Sequence, residues 1–278
     1  MIKTIVFNGG LGNQMFQYAF YLQLKEKNPF FLSLFDIEQA QGCHNGFELD
    51  RIFNVNSKKK IFNYRLINRF FPFILKHSKT IKQENSLKYN NDIINTSCLL
   101  MRYEGFWQSS KYFDSIALCI KKAFSFREDI INEKTTSITD YLIHSNSVSV
   151  HIRRGDYLLE SETRGLCSME YYKKAMSIIR ERVNNPSFIF FSDDVDWVKE
   201  NFKQENAKYI TWNHKEDSWQ DMYLMSRCKH NIIANSPFSW WGAWLNSNIN
   251  KIVIAPTPWF NNSLDYDIIP SSWIKIQR

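Results

Sequence analysis

Apolar positions along the chain fall into short strand-like runs and longer runs with helical spacing. Thr4–Phe7 is a continuous apolar run of strand length, and a helix is predicted from the following glycine-rich segment through about Lys27. Pro29 closes that helix, and Phe30–Phe35 is predicted as a second strand. From residue 147 the alternation is clean: Val148, Val150 and Ile152 mark a strand and Met169–Val183 a helix. Ser187–Phe191 is predicted as a strand, Trp197 to about Phe202 as a short helix, and Glu216–Cys228 as another helix. Asn231–Ala234 and Lys251–Ala255 are predicted strands flanking a helix at Pro237–Leu245. Strands alternating with helices indicate parallel α/β layers. Two such regions imply two Rossmann-like domains, divided near residue 145.

The stretch of about 50–110 breaks this rhythm and is expected to be an irregular insertion. Within it Ile61, Phe62, Leu66, Ile67, Phe70 and Phe71 keep helical spacing, with Arg65, Asn68 and Arg69 opposite, until Pro72 interrupts.

Composition then limits the classes. Hydrophobic residues make up 44% of the 278, enough for a large core, and charged residues make up 23%, too few for wholesale disorder. The five cysteines have no C-x-x-C spacing, which points away from a disulfide framework or zinc site and toward a reducing cytosol. The N-terminal apolar run is too short for a signal peptide, and no run reaches membrane-spanning length. The formal charge is +7, yet residues 51–83 alone hold nine Lys/Arg and no Asp or Glu, so the rest is net acidic. Basic residues interleaved with Phe and Tyr fit either an interfacial helix near anionic lipid or a solvated basic face. No nucleic-acid motif accompanies the charge.

Four segments carry candidate chemistry. His151-Ile-Arg-Arg-Gly-Asp-Tyr157 sits at the carboxyl end of a predicted strand, where open α/β sheets place ligands. Adjacent arginines point apart, so one can fork onto phosphate oxygens while the other pairs with a carboxylate such as Asp156. Gly155 would permit a sharp turn. A surface ion-pair cluster is the plain alternative. Gly9-Gly-Leu-Gly-Asn-Gln14 links a strand to a helix and offers free backbone N–H groups to an anion, or it is only a tight turn. It imitates the dinucleotide fingerprint with Met15 in place of the third glycine, and Asp36 ends the next strand as a ribose-binding acid would. Ser192-Asp193-Asp194-Val-Asp196 contains D-x-D, which suits a divalent metal, hydrogen bonds to a guanine edge or ribose, or a helix cap. Asn235–Leu245 opens a helix with a Ser236 cap and Pro237, and Ser236 and Ser239 could add hydroxyl donors to a phosphate. Of Trp240, Trp241 and Trp244, at least two are expected in the core.

In order along the chain, G-G-L-G-N-Q-M-F-Q-Y-A, H-I-R-R-G-D-Y, F-F-S-D-D and N-S-P-F-S-W-W-G-A-W-L resemble the α-1,2-fucosyltransferases of glycosyltransferase family 11. The second motif type is shared with α-1,6- and protein-O-fucosyltransferases, and the last looks particular to the α-1,2 group. The resemblance implies a GT-B fold of two Rossmann-like domains facing a central cleft. Residues 1–145 would form the acceptor side and 146–278 would bind GDP-fucose. It implies that Arg153 holds the β-phosphate, that Arg154 and Asp156 support it, and that His151 lies nearby. Asp193 and Asp194 would meet guanine or ribose, Ser236 and Ser239 would meet the phosphates, and Asn235 and Phe238 would also bind GDP-fucose. Gly12 and Asn13 would also contact GDP-fucose, Asn13 near the reacting centre, with Asn13, Arg153 and Asp156 as the catalytic candidates.

The implied reaction inverts the anomeric centre of fucose as a galactose 2-hydroxyl attacks GDP-fucose, and it needs no metal or other cofactor. The implied partners are GDP-fucose, a galactose-terminated or lipid-linked glycan, and anionic membrane at the cytoplasmic face. Two rivals stand beside this reading. One is a metal-dependent GT-A-like transferase using Asp194 and Asp196; the other is a non-catalytic nucleotide- or glycan-binding module.

Overall fold

The computed structural model describes residues 1–83, 88–96, 98–159, 165–203, 207–261 and 267–278. The chain forms two compact units, Met1–Arg127 with Asp265–Pro270 and Glu128–Leu264 with Ser271–Arg278.

The first unit runs β1 (Ile2–Val6), α1 (Leu11–Lys27), β2 (Leu32–Asp36), then the single turns α2 (Glu38–Gln41) and α3 (Leu49–Ile52). It continues with α4 (Lys58–Phe70), α5 (Pro72–Lys76), β3 (Lys79–Lys82), α6 (Asn91–Asn95), β4 (Leu100–Glu104) and α7 (Ala117–Ala123). The strands pair in parallel in the order β2-β1-β4-β3. Helix α1 is buried nearly all round, and its Phe20 stacks on Trp107 at 4.4 Å between centroids.

Residues 50–110 therefore do not form an insertion: they supply β3 and β4, half of this sheet. Strand β4 does alternate, with Met101 and Tyr103 buried, but Arg102 and Glu104 masked the pattern in the sequence. Arg102 is spent inside the fold, donating from Nη2 to Asp36 Oδ2 at 2.8 Å and from Nε to Glu104 Oε1 at 2.6 Å. The apolar stripe of α4 is only partly covered, with Ile61 and Ile67 half-buried and Arg65, Asn68 and Arg69 exposed. Tyr64 is its buried residue, donating to Asp36 Oδ2 at 2.9 Å, while Phe62, Leu66 and Phe70 are exposed. Residues 84–87 and 97 of this stretch lie outside the described residues.

The second unit runs α8 (Glu133–His144), β5 (Ser147–Ile152), α9 (Gly155–Leu159), α10 (Met169–Arg182), β6 (Ser187–Ser192), α11 (Val195–Asn201) and β7 (Lys208–Ile210). It ends with α12 (Trp219–Arg227), β8 (His230–Ile232), α13 (Pro237–Leu245), β9 (Val253–Thr257) and β10 (Ile274–Gln277). Its strands are parallel in the order β10-β9-β8-β5-β6-β7. Strand β5 is buried along its whole length, as a central parallel strand with helices on both faces must be. Val148, Val150, Phe188 and Phe190 meet Tyr172, Met176 and Ile179 of α10 in the core.

The units divide at Arg127, whereas the sequence suggested a division near 145. Helix α8 lies before that point in sequence but packs on α12 and β5. A return segment also crosses back to the first unit. There Asp267 accepts the Tyr89 N–H at 2.9 Å and pairs with Lys111.

Candidate functional site

Each sheet has one point where the strand order reverses, and open α/β sheets bind ligands at the carboxyl ends of strands beside such a point. In the second unit β5, β6 and β7 run outward one way and β8, β9 and β10 the other, so the reversal lies between β5 and β8. The carboxyl ends of those two strands and the helix starts that follow carry His151–Tyr157 and Asn235–Ser239. Tyr157 ties them together, donating its hydroxyl to the Asn235 carbonyl at 3.1 Å.

The two arginines after β5 diverge. Arg153 Nη2 lies 2.6 Å from Asp156 Oδ1, an ion contact outside hydrogen-bond alignment, and its Nη1 lies 2.9 Å from Asp193 Oδ2. The guanidinium is thus held by its own helix turn and by the end of β6. Arg154 lies against α11, its guanidinium 3.8 Å from the Trp197 ring centroid and its Nε 2.9 Å from Asp194 Oδ2. Its backbone N–H donates to Asp193 Oδ1 at 2.9 Å. Asp193 is therefore engaged through both oxygens. Asp194 also caps α11, accepting from Trp197 N–H at 3.3 Å. In the structure Asp193 and Asp194 pair with the two arginines, and Asp194 caps a helix start.

Gly155 is needed for a reason other than turning. A Cβ there would stand 2.6 Å from Asp193 Oδ2, so any side chain would push away the carboxylate that grips Arg153. The cluster sets Arg153 and Arg154 against Asp156, Asp193 and Asp194, and is formally negative. An anion would be drawn by the partly exposed Arg153 guanidinium and by the amino end of α13 rather than by net charge.

His151 is buried, its backbone carbonyl accepts from Tyr172 Oη at 3.1 Å, and its ring lies 5.9 Å from that of Phe238. Its Nδ1 has no hydrogen-bond partner among the described residues. Burial first, and the Arg153 charge second, lower its pKa to about 3, so the imidazole is neutral at physiological pH.

At α13, Ser236 Oγ accepts from Phe238 N–H at 3.3 Å, the cap expected from sequence. Asn235 and Ser239 turn inward. Asn235 Nδ2 donates to the carbonyls of Gly165 and Trp259 at 3.0 Å each. Ser239 Oγ donates to the Ser236 carbonyl at 3.3 Å and is fully buried. Both fix the loop that places Ser236 and Phe238. Trp240 and Trp241 are core residues, and Trp244 is half-buried.

In the first unit the reversal lies between β1 and β4. Gly9 takes φ +74°, a left-handed conformation that favours glycine. A Cβ at Gly10 would come within 2.8 Å of His44. Gln17 joins the two loops at the reversal, accepting from Asn8 N–H at 3.1 Å and donating to the Gly105 carbonyl at 3.0 Å. Gln14 holds the Gly9 and Gly46 carbonyls at 2.9 and 2.8 Å. Gly12 is buried in the first turn of α1, and the partly exposed Asn13 accepts from Gln108 Nε2 at 2.7 Å through Oδ1. Asp36 is not available as a ribose ligand, since Tyr64, Arg102 and the Glu38 N–H occupy its carboxylate.

Sequence reasoning missed the glutamines. Gln14 and Gln17 are fully buried among the apolar residues Met15, Phe16, Tyr18 and Ala19, and polar groups in such a run are the signal that marks them. It also missed Trp107, held at φ +53° beyond β4, where Gln83 Oε1 accepts its N–H at 2.7 Å.

Two parallel sheets flanked by helices, each with its motif loops at the strand-order reversal, define a GT-B-type double Rossmann glycosyltransferase. The chain belongs to glycosyl transferase family 11, whose model matches residues 1–277. It is 38% identical over 97% of its length to an Escherichia coli alpha-1,2-colitosyltransferase, covering 97% of that protein. It is 34% identical over 97% of its length to the E. coli O-antigen biosynthesis glycosyltransferase WbnK, covering 98% of it. The fold also resembles the Bradyrhizobium NodZ alpha-1,6-fucosyltransferase, with TM-score 0.51, 14% identity, and 88% and 92% of the two chains covered. Among the described residues there is no group of three or more His, Cys, Asp or Glu able to hold a metal ion.

Proposed function

We propose that the chain transfers L-fucose from GDP-β-L-fucose to the 2-hydroxyl of a terminal galactose, inverting the anomeric centre. The observation that carries this reading is Arg153, fixed by Asp156 and Asp193 at the reversal between β5 and β8. Cleavage of the fucose–phosphate bond leaves charge on the departing diphosphate, and a guanidinium already in place stabilises that charge as it develops. The amino end of α13 adds backbone donors. Sugar cleavage of this kind passes through an oxocarbenium-like state.

Arg153 is the catalytic residue of this reading, with Asp156, Asp193 and Arg154 positioning it. His151, Ser236 and Phe238 border the donor. Asn235, Ser239 and Asp194 act by shaping the loops. Asn13 and Gly12 belong to the acceptor side; an amide cannot take the hydroxyl proton, so Asn13 orients the acceptor by hydrogen bonding. The first unit handles the acceptor and the second the donor, and no metal takes part. The acceptor is a galactoside of an O-antigen-type glycan assembled on lipid at the cytoplasmic face of the membrane.

The name of the 38%-identical relative, an alpha-1,2-colitosyltransferase, favours one second reading, with a colitosyl group in place of fucosyl. The purified chain, given GDP-fucose or GDP-colitose with a β-galactoside, is expected to form an α-1,2-fucosylated product at a rate unaffected by chelator. Faster turnover of GDP-colitose selects the second reading. Linkage at another hydroxyl, metal-dependent turnover, or none at all overturns both.

A further inference from the structure

Helix α4 has two faces of different use. One is fastened to the body of the first unit. Tyr64 is buried on Asp36, and Lys60 lies 5.4 Å from the Phe35 ring centroid while donating to the Asn56 carbonyl at 2.6 Å. Burial lowers the pKa of Lys60, and that lysine belongs to the fold rather than to the surface charge.

The helical period puts Phe62, Leu66 and Arg69 on the side opposite Tyr64, with Lys58, Arg65 and Phe70 flanking them. Phe62 is 64% exposed, Phe70 60% and, in α5, Phe73 58%. Leu66 and Phe71 are exposed as well. Large apolar side chains scattered singly over a surface need no explanation, but five within a dozen residues do. Exposed Lys58, Lys59, Arg65, Arg69, Lys76 and Lys79 stand among them, and residues 51–83 contain no acid.

We propose that the outward face of α4 and α5 is a docking surface for an anionic lipid bilayer. Aromatic rings beside lysine and arginine are what a helix lying in the headgroup region presents, rings inward and cations at the phosphates. The helix is already folded against β2, so docking pays no cost of ordering it. Single-sign charge with no acid selects an anionic partner over a neutral one. The inference is independent of the donor sugar.

Co-sedimentation of the full chain with phosphatidylglycerol–phosphatidylcholine vesicles, against phosphatidylcholine alone, tests it. Binding to the anionic vesicles and its weakening by salt are expected. Each exposed cation at the surface is worth about fivefold in partition, so Arg65→Gln/Arg69→Gln should lower it about 25-fold. Phe62→Ser/Phe70→Ser should lower it too, and should leave less residual binding at high salt. Both variants should keep the wild-type Tm, because the substituted side chains are exposed. Equal partition onto neutral vesicles overturns the proposal, as does wild-type partition by the arginine variant. Tighter binding to single-stranded DNA than to the vesicles would reassign the surface to nucleic acid. A failure to bind vesicles with normal sugar transfer would leave the transferase reading standing.

Discussion

At the scale of the residue, Arg153 concentrates the functional argument. Its guanidinium bridges Asp156 on its own helix turn and Asp193 on the neighbouring strand end. A lysine there would offer a point charge unable to span both. Arg153→Ala is expected to lower kcat by about 100- to 1000-fold, the usual cost of removing one donor aimed at developing charge. Arg153→Lys should recover only part of that loss, and the Tm of each variant should stay near that of the wild type because the side chain is partly exposed. Steady-state kinetics beside thermal unfolding checks both, and wild-type kcat in Arg153→Ala would remove the residue from the mechanism. The sequence made Arg153, Gly155 and Asp156 legible because they are neighbours in the chain. The grip of Asp193 on Arg153 was not legible, since it depends on β5 pairing with β6 in a particular register.

At the scale of the element, α13 was legible to the residue. Ser236, Pro237 and the tryptophans mark its start and its buried side. Its contact with α12 was not. A Cβ on Gly242 would stand 2.9 Å from Met225 Cβ, so this glycine sets how closely the two helices approach. Gly242→Val is expected to destabilise the protein by about 1–3 kcal/mol through overpacking, and more than Ser236→Ala, which loses one cap at about 1 kcal/mol. Denaturant unfolding of both variants reads that order directly, and a reversed order would mean the helices separate freely. In the first unit Gln17 joins two loops by two hydrogen bonds. Gln17→Leu should leave the half-buried Asn8 N–H and Gly105 carbonyl without this partner, at a cost of about 1 kcal/mol for each hydrogen bond lost, read by the same denaturant unfolding. Strand β4 escaped the sequence reading because its charged positions are satisfied within the sheet, and β3 because it is a short edge strand with no buried residue. A pattern rule reads Arg102 and Glu104 as solvent-facing and cannot see Asp36 waiting across two strands.

At the scale of the whole molecule, alternating strands and helices foretold two parallel sheets. Strand order itself is nonlocal and had to be observed. So did burial, which fixes how the second unit responds to pH. His151 has its pKa lowered to about 3 by burial and then by Arg153, so between about pH 6.5 and about pH 3 the folded state binds fewer protons than the unfolded one. Its contribution to stability is complete above about pH 6.5 and is lost on acidification at up to about 1.4 kcal/mol per pH unit. Asp221 acts in the opposite sense. The residue keeps some surface, but its carboxyl is enclosed where α8 packs on α12, and burial raises its pKa to about 7 despite the hydrogen bond from Asn213. The folded state then retains a proton that the unfolded chain has lost, so this group favours folding below about pH 4 and disfavours it progressively up to about pH 7. The two slopes oppose each other between about pH 4 and about pH 6.5, and the wild type should show little dependence from this pair. Asp221→Asn should expose the His151 slope, with stability falling as the solution is acidified from about pH 6.5. His151→Gln should expose the Asp221 slope, with stability rising over the same change. Denaturant midpoints for the three proteins across that range decide the matter: parallel curves would mean that neither group titrates differently in the folded and unfolded states, and variant curves that slope the same way with pH would mean that one of the two signs is wrong.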